Sequence, residues 1–427
     1  MLIAALVISF IAFVAIGIPI AFAMGAASVT FLLLEGRLPL ALIAQRLFAG
    51  IDSFPLMAVP FFIFAGLLMD SGGISARLVT LARVLIGHVR GGLAMVVMLA
   101  EMFFSGISGS TTADISAIGS TMIPAMRRAG YAPERAAAIV AAASSMGVLI
   151  PPCIMMVVLG SLVNISIGRL FIAGFLPSAV MVIGLMGLIT YQARRGILPP
   201  SEVRAPPSAV YAAFKDSALA LLLPVIIFGG ILLGIATPTE IAAIGAVYAL
   251  VVSLFIYREV SWRGLHEICE QTIILTGAAL LLIGLAMTFS WILASQQTPA
   301  AIAHLMSVIG GGSVGFLLLS IIIFLIAGVF LEGLPALIIL MPILLPVAER
   351  VGVDPLHFGI LAIGTVGVGI FLPPIGIGLL LSAGIARCSM RSVTKVFMPY
   401  LLVLILSLVI IALIPAITLV LPKLLMD

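Results

Sequence analysis

The chain has 427 residues, 63% of them hydrophobic and only 8% charged, with a formal net charge of +4. A mean hydropathy of +1.39 excludes a soluble globular protein and indicates a polytopic protein whose solvent is the lipid bilayer. The basic residues are scattered through loops without aromatic interleaving, which excludes nucleic acid as a partner.

Runs of roughly 20 apolar residues predict about ten full spans and some shorter pieces. Residues 2–18, which lack the positive region of a secretory signal, form a first transmembrane helix, and 20–34 a second beyond Gly17-Ile18-Pro19. An amphipathic connection with Arg37, Arg46 and Asp52 leads to a helix over 55–69. Between Ile74 and Arg90, Arg77, Arg83, His88 and Arg90 alternate with Leu78, Leu81, Val84 and Leu85, which suits a helix in the cytoplasmic interface. Next, Leu93–Phe104 and Ile115–Met126 flank the small, polar stretch Ser105–Asp114. Each arm is too short to span, so about 92–126 reads as a re-entrant hairpin with its tip near the midplane. The segment 136–165 is an apolar helix broken at Gly147–Pro152, and Leu170–Tyr191 returns to Arg194-Arg195. Residues 196–216, with Pro199, Pro200, Pro206 and Pro207, form a cytoplasmic linker between halves 1–195 and 217–427.

The second half follows the same order. Helices are expected over 217–235, 241–257 and 272–294, with a charged connection at Arg258, Arg263, His266 and Glu267. A hairpin over about 313–347 has the tip Leu331-Glu332-Gly333-Leu334-Pro335, and a helix over 356–386 is broken at Gly369–Pro374. A last helix runs to Pro422-Lys423. A shift of 222 residues superposes Pro124, Pro133, Pro151, Pro152 and Pro177 on Pro346, Pro355, Pro373, Pro374 and Pro399 without a gap, and Gly106, Gly147 and Arg128 on Gly328, Gly369 and Arg350. With the feet of the first hairpin in the cytoplasm and the N-terminus in the periplasm, only Arg37, Arg46, Arg169, Arg350 and Lys423 of the 20 Lys and Arg residues lie outside. Arg128 and Arg350 then face opposite sides. The fold class is thus all-α, with two inverted-topology repeats, each a re-entrant hairpin and a broken helix, the architecture of alternating-access carriers.

Breaks at membrane depth are tolerated only where backbone is buried in protein or lines a cavity. Their freed carbonyls, with hydroxyls of Ser108, Ser110 or Thr111, suit a small hard cation. Half-helix N-termini at the tips and after Pro152 and Pro374 favour a carboxylate between them. Alternatively, Ser110, Thr111 or Asp114 only caps the returning arm, and Ser144 and Ser145 only satisfy backbone near the break. Asp114, Glu332 and Glu101 are ionisable groups in the hairpins, though Glu332 also fits a wet tip. Cys153, Cys269 and Cys388 have no CxxC spacing and read as small hydrophobes. The chain lacks HExxH, GxGD, DDxxD and nucleotide-loop motifs, so no enzyme, catalytic residue or resident cofactor is expected.

Ser108-Gly109-Ser110-Thr111-Thr112-Ala113-Asp114, with Gly147–Pro152 and Gly369–Pro374, resembles the large membrane subunit of tripartite ATP-independent periplasmic (TRAP) transporters, the DctM type, across essentially the whole chain. The resemblance implies an elevator-type permease of the bacterial inner membrane in the ion-transporter superfamily. It implies Na+ as the coupling ion and uptake of organic acids such as C4-dicarboxylates or sialic acid. Its partners would be a small four-helix membrane subunit (DctQ type) and a periplasmic substrate-binding protein (DctP type). By motif position, sodium site 1 would use Ser108, Ser110, Gly147, Ile150 and Pro152, and site 2 Phe330, Glu332, Gly369, Leu372 and Pro374. Substrate would meet Ser110, Thr111, Thr112, Asp114, Ser144 and Ser145. Glu332 stands where the first tip has a serine, so backbone carbonyls must dominate site 2. The alternative is a stand-alone sodium- or proton-coupled anion symporter of the same superfamily.

Overall fold

The structure, a computed structural model, describes residues 2–108, 111–296, 311–331 and 333–426, with side chains for all of these except 106–108. Among them every regular element is helical. In the first half these are α1 (Leu2–Ala15), α2 (Ile20–Glu35), α3 (Ala41–Ile51), α4 (Ala58–Ser71, entered by a 3-10 turn), α5 (Ile74–Ile86), α6 (Leu93–Ser108), α7 (Thr111–Arg128), α8 (Pro133–Gly147), α9 (Ile154–Val163) and α10 (Ile167–Arg194). In the second they are α11 (Pro207–Leu232), α12 (Pro238–Val251), α13 (Trp262–Ser295), α14 (Gly312–Phe330), α15 (Gly333–Arg350), α16 (Pro355–Gly369), α17 (Ile377–Ala386), α18 (Met390–Leu413) and α19 (Ala416–Met426).

Both hairpins and both broken helices are present: α6–α7 and α14–α15, then α8–α9 and α16–α17. Pro133 and Pro355, repeat partners, open the two central helices from the first helical position, where a missing N–H leaves nothing unsatisfied. From residue 136 to 147 and from 356 to 369 every side chain of these helices is buried. A helix apolar on all sides belongs at the centre of a bundle. The hairpins cross over to the opposite half: α7 packs on α17, and α15 on α9. Around this body, α1, α2, α3, α4, α11, α12 and α13 form a second layer in which α4 packs on α12 and α13 on α2 and α3.

Eight helical segments among the described residues are long and apolar enough to cross a membrane, fewer than the ten spans expected. The difference lies in helices of 10–17 residues, such as α9 and α16, that breaks cut short. Three further boundaries differ. The linker is shorter than 196–216, because Pro207 starts α11 and the chain is helical through Lys215-Asp216. Arg263, His266 and Glu267 are not in a connection; they form the first turns of the 34-residue α13, capped by the Ser261 side chain. The last helix is divided at Pro415 into α18 and α19. The short linker is strapped down: the Glu202 carboxylate accepts from the Arg83 guanidinium at 2.6 and 2.9 Å, and the Ser201 hydroxyl donates to the Val89 carbonyl at 2.7 Å.

Candidate functional site

The two hairpin tips and the two breaks meet at one cavity. It has a volume of about 650 Å³ and is lined by Thr111, Thr112 and Ala113 of the first tip, Gly333, Leu334 and Pro335 of the second, and Ile154, Met155, Ile370 and Ile377 beside the breaks. Its far wall is the scaffold: Gly17–Ala21, residues of α4 including Asp70, and Leu275–Leu282 of α13. Thr111, Ile154, Gly333 and Ile377 are the first residues of α7, α9, α15 and α17. Four helix N-termini therefore converge on the cavity, each presenting backbone N–H groups and partial positive charge, an arrangement that favours an anion. Asp70 is the one charged residue among the described lining residues, at the cavity's edge, where its carboxylate lies 3.5 Å from the Ser75 hydroxyl.

Behind the first tip lies a polar cluster. The Ser105 hydroxyl is 2.6 Å from Asp114 Oδ2 and 3.2 Å from Glu101 Oε1, and all three residues are at most 1% exposed. Glu101 and Ser105 share a face of α6 at i and i+4, and Asp114 sits in the first turn of α7. The break closes over them. A Cβ on Gly147 would collide with Ser105 Oγ and stand 3.1 Å from Asp114 Oδ2, so only glycine lets α8 end here. Ser144, one turn earlier, is fully buried with its hydroxyl beside the Glu101 carboxyl but outside hydrogen-bond geometry. Ser145 is also fully buried, and its hydroxyl donates to the Ala142 carbonyl at 2.8 Å.

The expected site residues thus separate. Thr111 and Thr112 line the cavity; Asp114 lies behind it; Ser144 and Ser145 are buried in the α8 packing and do not line it. Ser110 and Glu332 lie outside the described residues, as does the side chain of Ser108. Of the proposed first sodium set, Gly147, Ile150 and Pro152 are all buried. Of the second, Gly369 is buried, Leu372 half-buried, Phe330 64% exposed and Pro374 exposed. In each break the third amide past the helix still bonds backward, Ile150 N–H to the Gly147 carbonyl at 2.9 Å and Leu372 N–H to the Gly369 carbonyl at 3.0 Å. Each accepting carbonyl keeps a second lone pair for another partner.

Sequence reasoning missed Ser105 as a partner of both acids, and Asp70. For Ser105 the i, i+4 spacing from Glu101 was an available signal. Asp70, a lone acid ending an apolar helix, was another.

The chain matches the family described as the tripartite ATP-independent periplasmic transporter, DctM component, over residues 7–417. It is 37% identical over 411 residues to the sialic acid TRAP transporter large permease SiaM of Vibrio cholerae, covering 96% of this chain and 95% of that one. It is 35% identical to the C4-dicarboxylate large permease DctM of Rhodobacter capsulatus, covering 97% of each. The isethionate permease DctMQ of Oleidesulfovibrio alaskensis is 38% identical, and the chain spans 64% of its length. Among solved structures, the YdaH transporter of Alcanivorax borkumensis superposes with a TM-score of 0.63 at 18% identity, covering 88% of this chain and 87% of that one, a likeness of fold. These relatives are transporter permeases, and the chain belongs to the DctM-component family of TRAP transporters.

Proposed function

We propose that the chain is the large permease subunit of a sodium-coupled TRAP transporter that imports an organic acid across the bacterial inner membrane. The observation that carries this reading is the convergence of four helix N-termini on one cavity between the hairpin tips and the scaffold. A small anion with a carboxylate or sulfonate head fits a site where amides and partial dipoles supply the positive charge and Thr111 and Thr112 the hydroxyls. The substrates in the relatives' names, sialic acid, C4-dicarboxylates and isethionate, share such a head. Sodium is held at the first break by carbonyls of Gly147, Ile150 and Pro152 with Ser108 and Ser110. A second ion is held at Phe330, Glu332, Gly369, Leu372 and Pro374. An ion at each tip holds the helix ends in place and offsets the substrate's charge.

The cavity reaches Gly17–Pro19 and Asp70, which the positive-charge bias places toward the cytoplasm, so this arrangement is inward-facing. Transport then moves the hairpin body (α6–α10 with α14–α18) against the scaffold in an elevator-like step. A periplasmic binding protein of DctP type delivers substrate, and a small four-helix subunit of DctQ type completes the scaffold. The test is uptake by proteoliposomes holding the permease with both partners. An inward sodium gradient should drive accumulation, and undiminished uptake with the gradient replaced by choline would refute the coupling. Full uptake without the binding protein would favour the stand-alone symporter instead.

A further inference from the structure

The cavity between the tips and the scaffold is polarised along one direction. At the tips it meets four helix N-termini and Thr111, a residue only 5% exposed whose hydroxyl has no hydrogen-bond partner among the described residues. That end offers positive potential and an uncommitted hydroxyl to an anionic head. The opposite wall carries Ile63 and Leu67 of α4 and Leu275 and Leu282 of α13. Ile63, Leu67 and Asp70 follow one another at i, i+4 and i+7, so a single face of α4 runs from apolar to acidic. Asp70 lies in the last turn of α4, where the carbonyl end of the helix adds partial negative charge to the carboxylate.

A ligand that fills this cavity meets attraction for negative charge at one end, apolar walls along its body and repulsion of negative charge at the far edge. A second carboxylate would stand toward Asp70. A polyhydroxylated body would give up water for leucine and isoleucine side chains, which offer no hydrogen bond in return. Methylenes laid on the same walls are favoured instead. We propose that the substrate is a monoanionic organic acid, one carboxylate or sulfonate on an apolar body, and that Asp70 selects it against dicarboxylates. This substrate class rests on the reading of the cavity as the substrate site of a sodium-coupled permease and narrows it.

The experiment is isothermal titration calorimetry on the purified chain in nanodiscs, in sodium chloride at fixed ionic strength, with empty nanodiscs as the blank. The probes are acetate, butyrate, hexanoate, succinate and N-acetylneuraminate. Affinity should rise about two- to fourfold per methylene from acetate to hexanoate, and hexanoate should bind about tenfold or more tightly than succinate or N-acetylneuraminate. Leu275 is 49% exposed, so Leu275→Asn makes the wall polar without opening the packing; it should flatten the alkanoate series and spare acetate. Asp70→Asn should tighten succinate about three- to tenfold and change hexanoate by less than about twofold. Succinate or N-acetylneuraminate binding as tightly as hexanoate would overturn the proposal and leave the transport reading standing. So would a flat alkanoate series in the parent, or an equal gain for succinate and hexanoate in Asp70→Asn. Sodium-independent uptake with the ranking of acids intact would sink the coupling alone. Absence of binding by every acid would remove the cavity as the substrate site, and the substrate class with it.

Discussion

The two breaks share a sequence pattern and a backbone path but have opposite surroundings. In the first, residues 147–153 are all buried, and the adjoining hairpin brings Ser105 and Asp114 against Gly147. In the second, Leu372–Ile375 is progressively uncovered, with Ile375 54% exposed, and the hairpin meets the break glycine-on-glycine: a Cβ on Gly328 would lie 3.0 Å from Gly369 Cα. Repetition has therefore kept what backbone geometry requires, the glycines and prolines, while the side chains around them diverged. One break is sealed and charged. The other is open and, among the described residues, apolar. Two ion sites built on such breaks cannot have equal affinity or equal access to water.

The largest effect is expected from giving the second half the first half's charge. Ala336, the repeat partner of Asp114, is fully buried, and its neighbours at the Ser105 and Glu101 positions are Ala327 and Ile323. Ala336→Asp should destabilise the chain by about 3 kcal/mol or more, since Ala327 and Ile323 at the equivalent positions give the new carboxylate no partner. Thermal unfolding in detergent by fluorescence-detected chromatography measures it. A variant as stable as the parent would mean that the second hairpin is wetter than its packing implies.

A smaller effect separates the two break glycines. Gly147→Ala drives a methyl into Ser105, so about 1–3 kcal/mol of overpacking is expected, together with loss of uptake. Adding Ser105→Ala should recover part of the stability and none of the transport. Gly369→Ala meets the Leu325 carbonyl oxygen at 3.0 Å and Gly328 Cα at 3.1 Å, both backbone, so no second-site truncation should rescue it. Equal rescue at both positions, read from melting temperatures of the double variants, would remove the distinction drawn above.

How far the sequence revealed this arrangement depends on the range of the interactions involved. Glycine and proline act locally, so the breaks at Gly147–Pro152 and Gly369–Pro374, both hairpins and the repeat were legible in full. Charge misled at the edges. Lys215-Asp216 and Arg263–Glu267 read as loops because they are polar, yet both continue helices that begin at Pro207 and Trp262. Interfacial turns can be charged without ceasing to be helical. The Glu101–Ser105–Asp114–Ser144 cluster was only half legible. The acids were visible as ionisable groups in an apolar context, but their meeting depends on three helices closing at one glycine, a tertiary event that no local pattern encodes.

The smallest effect concerns the neighbouring serines of α8. Ser144 and Ser145 look interchangeable in sequence, yet one hydroxyl is uncommitted beside Glu101 and the other is spent on the Ala142 carbonyl at 2.8 Å. Its repeat partner is Gly367, where a Cβ would run into Val148, so the second half does without a hydroxyl there. A back-bonded serine inside a helix contributes little to stability. Ser145→Ala should therefore stay within about 0.5 kcal/mol of the parent and keep its uptake rate to within about twofold. Paired with Ser144→Ala in the same uptake assay, it isolates the hydroxyl beside the carboxyl group. A tenfold loss of uptake in Ser145→Ala would instead extend the substrate path into α8, past the tips that now bound the cavity.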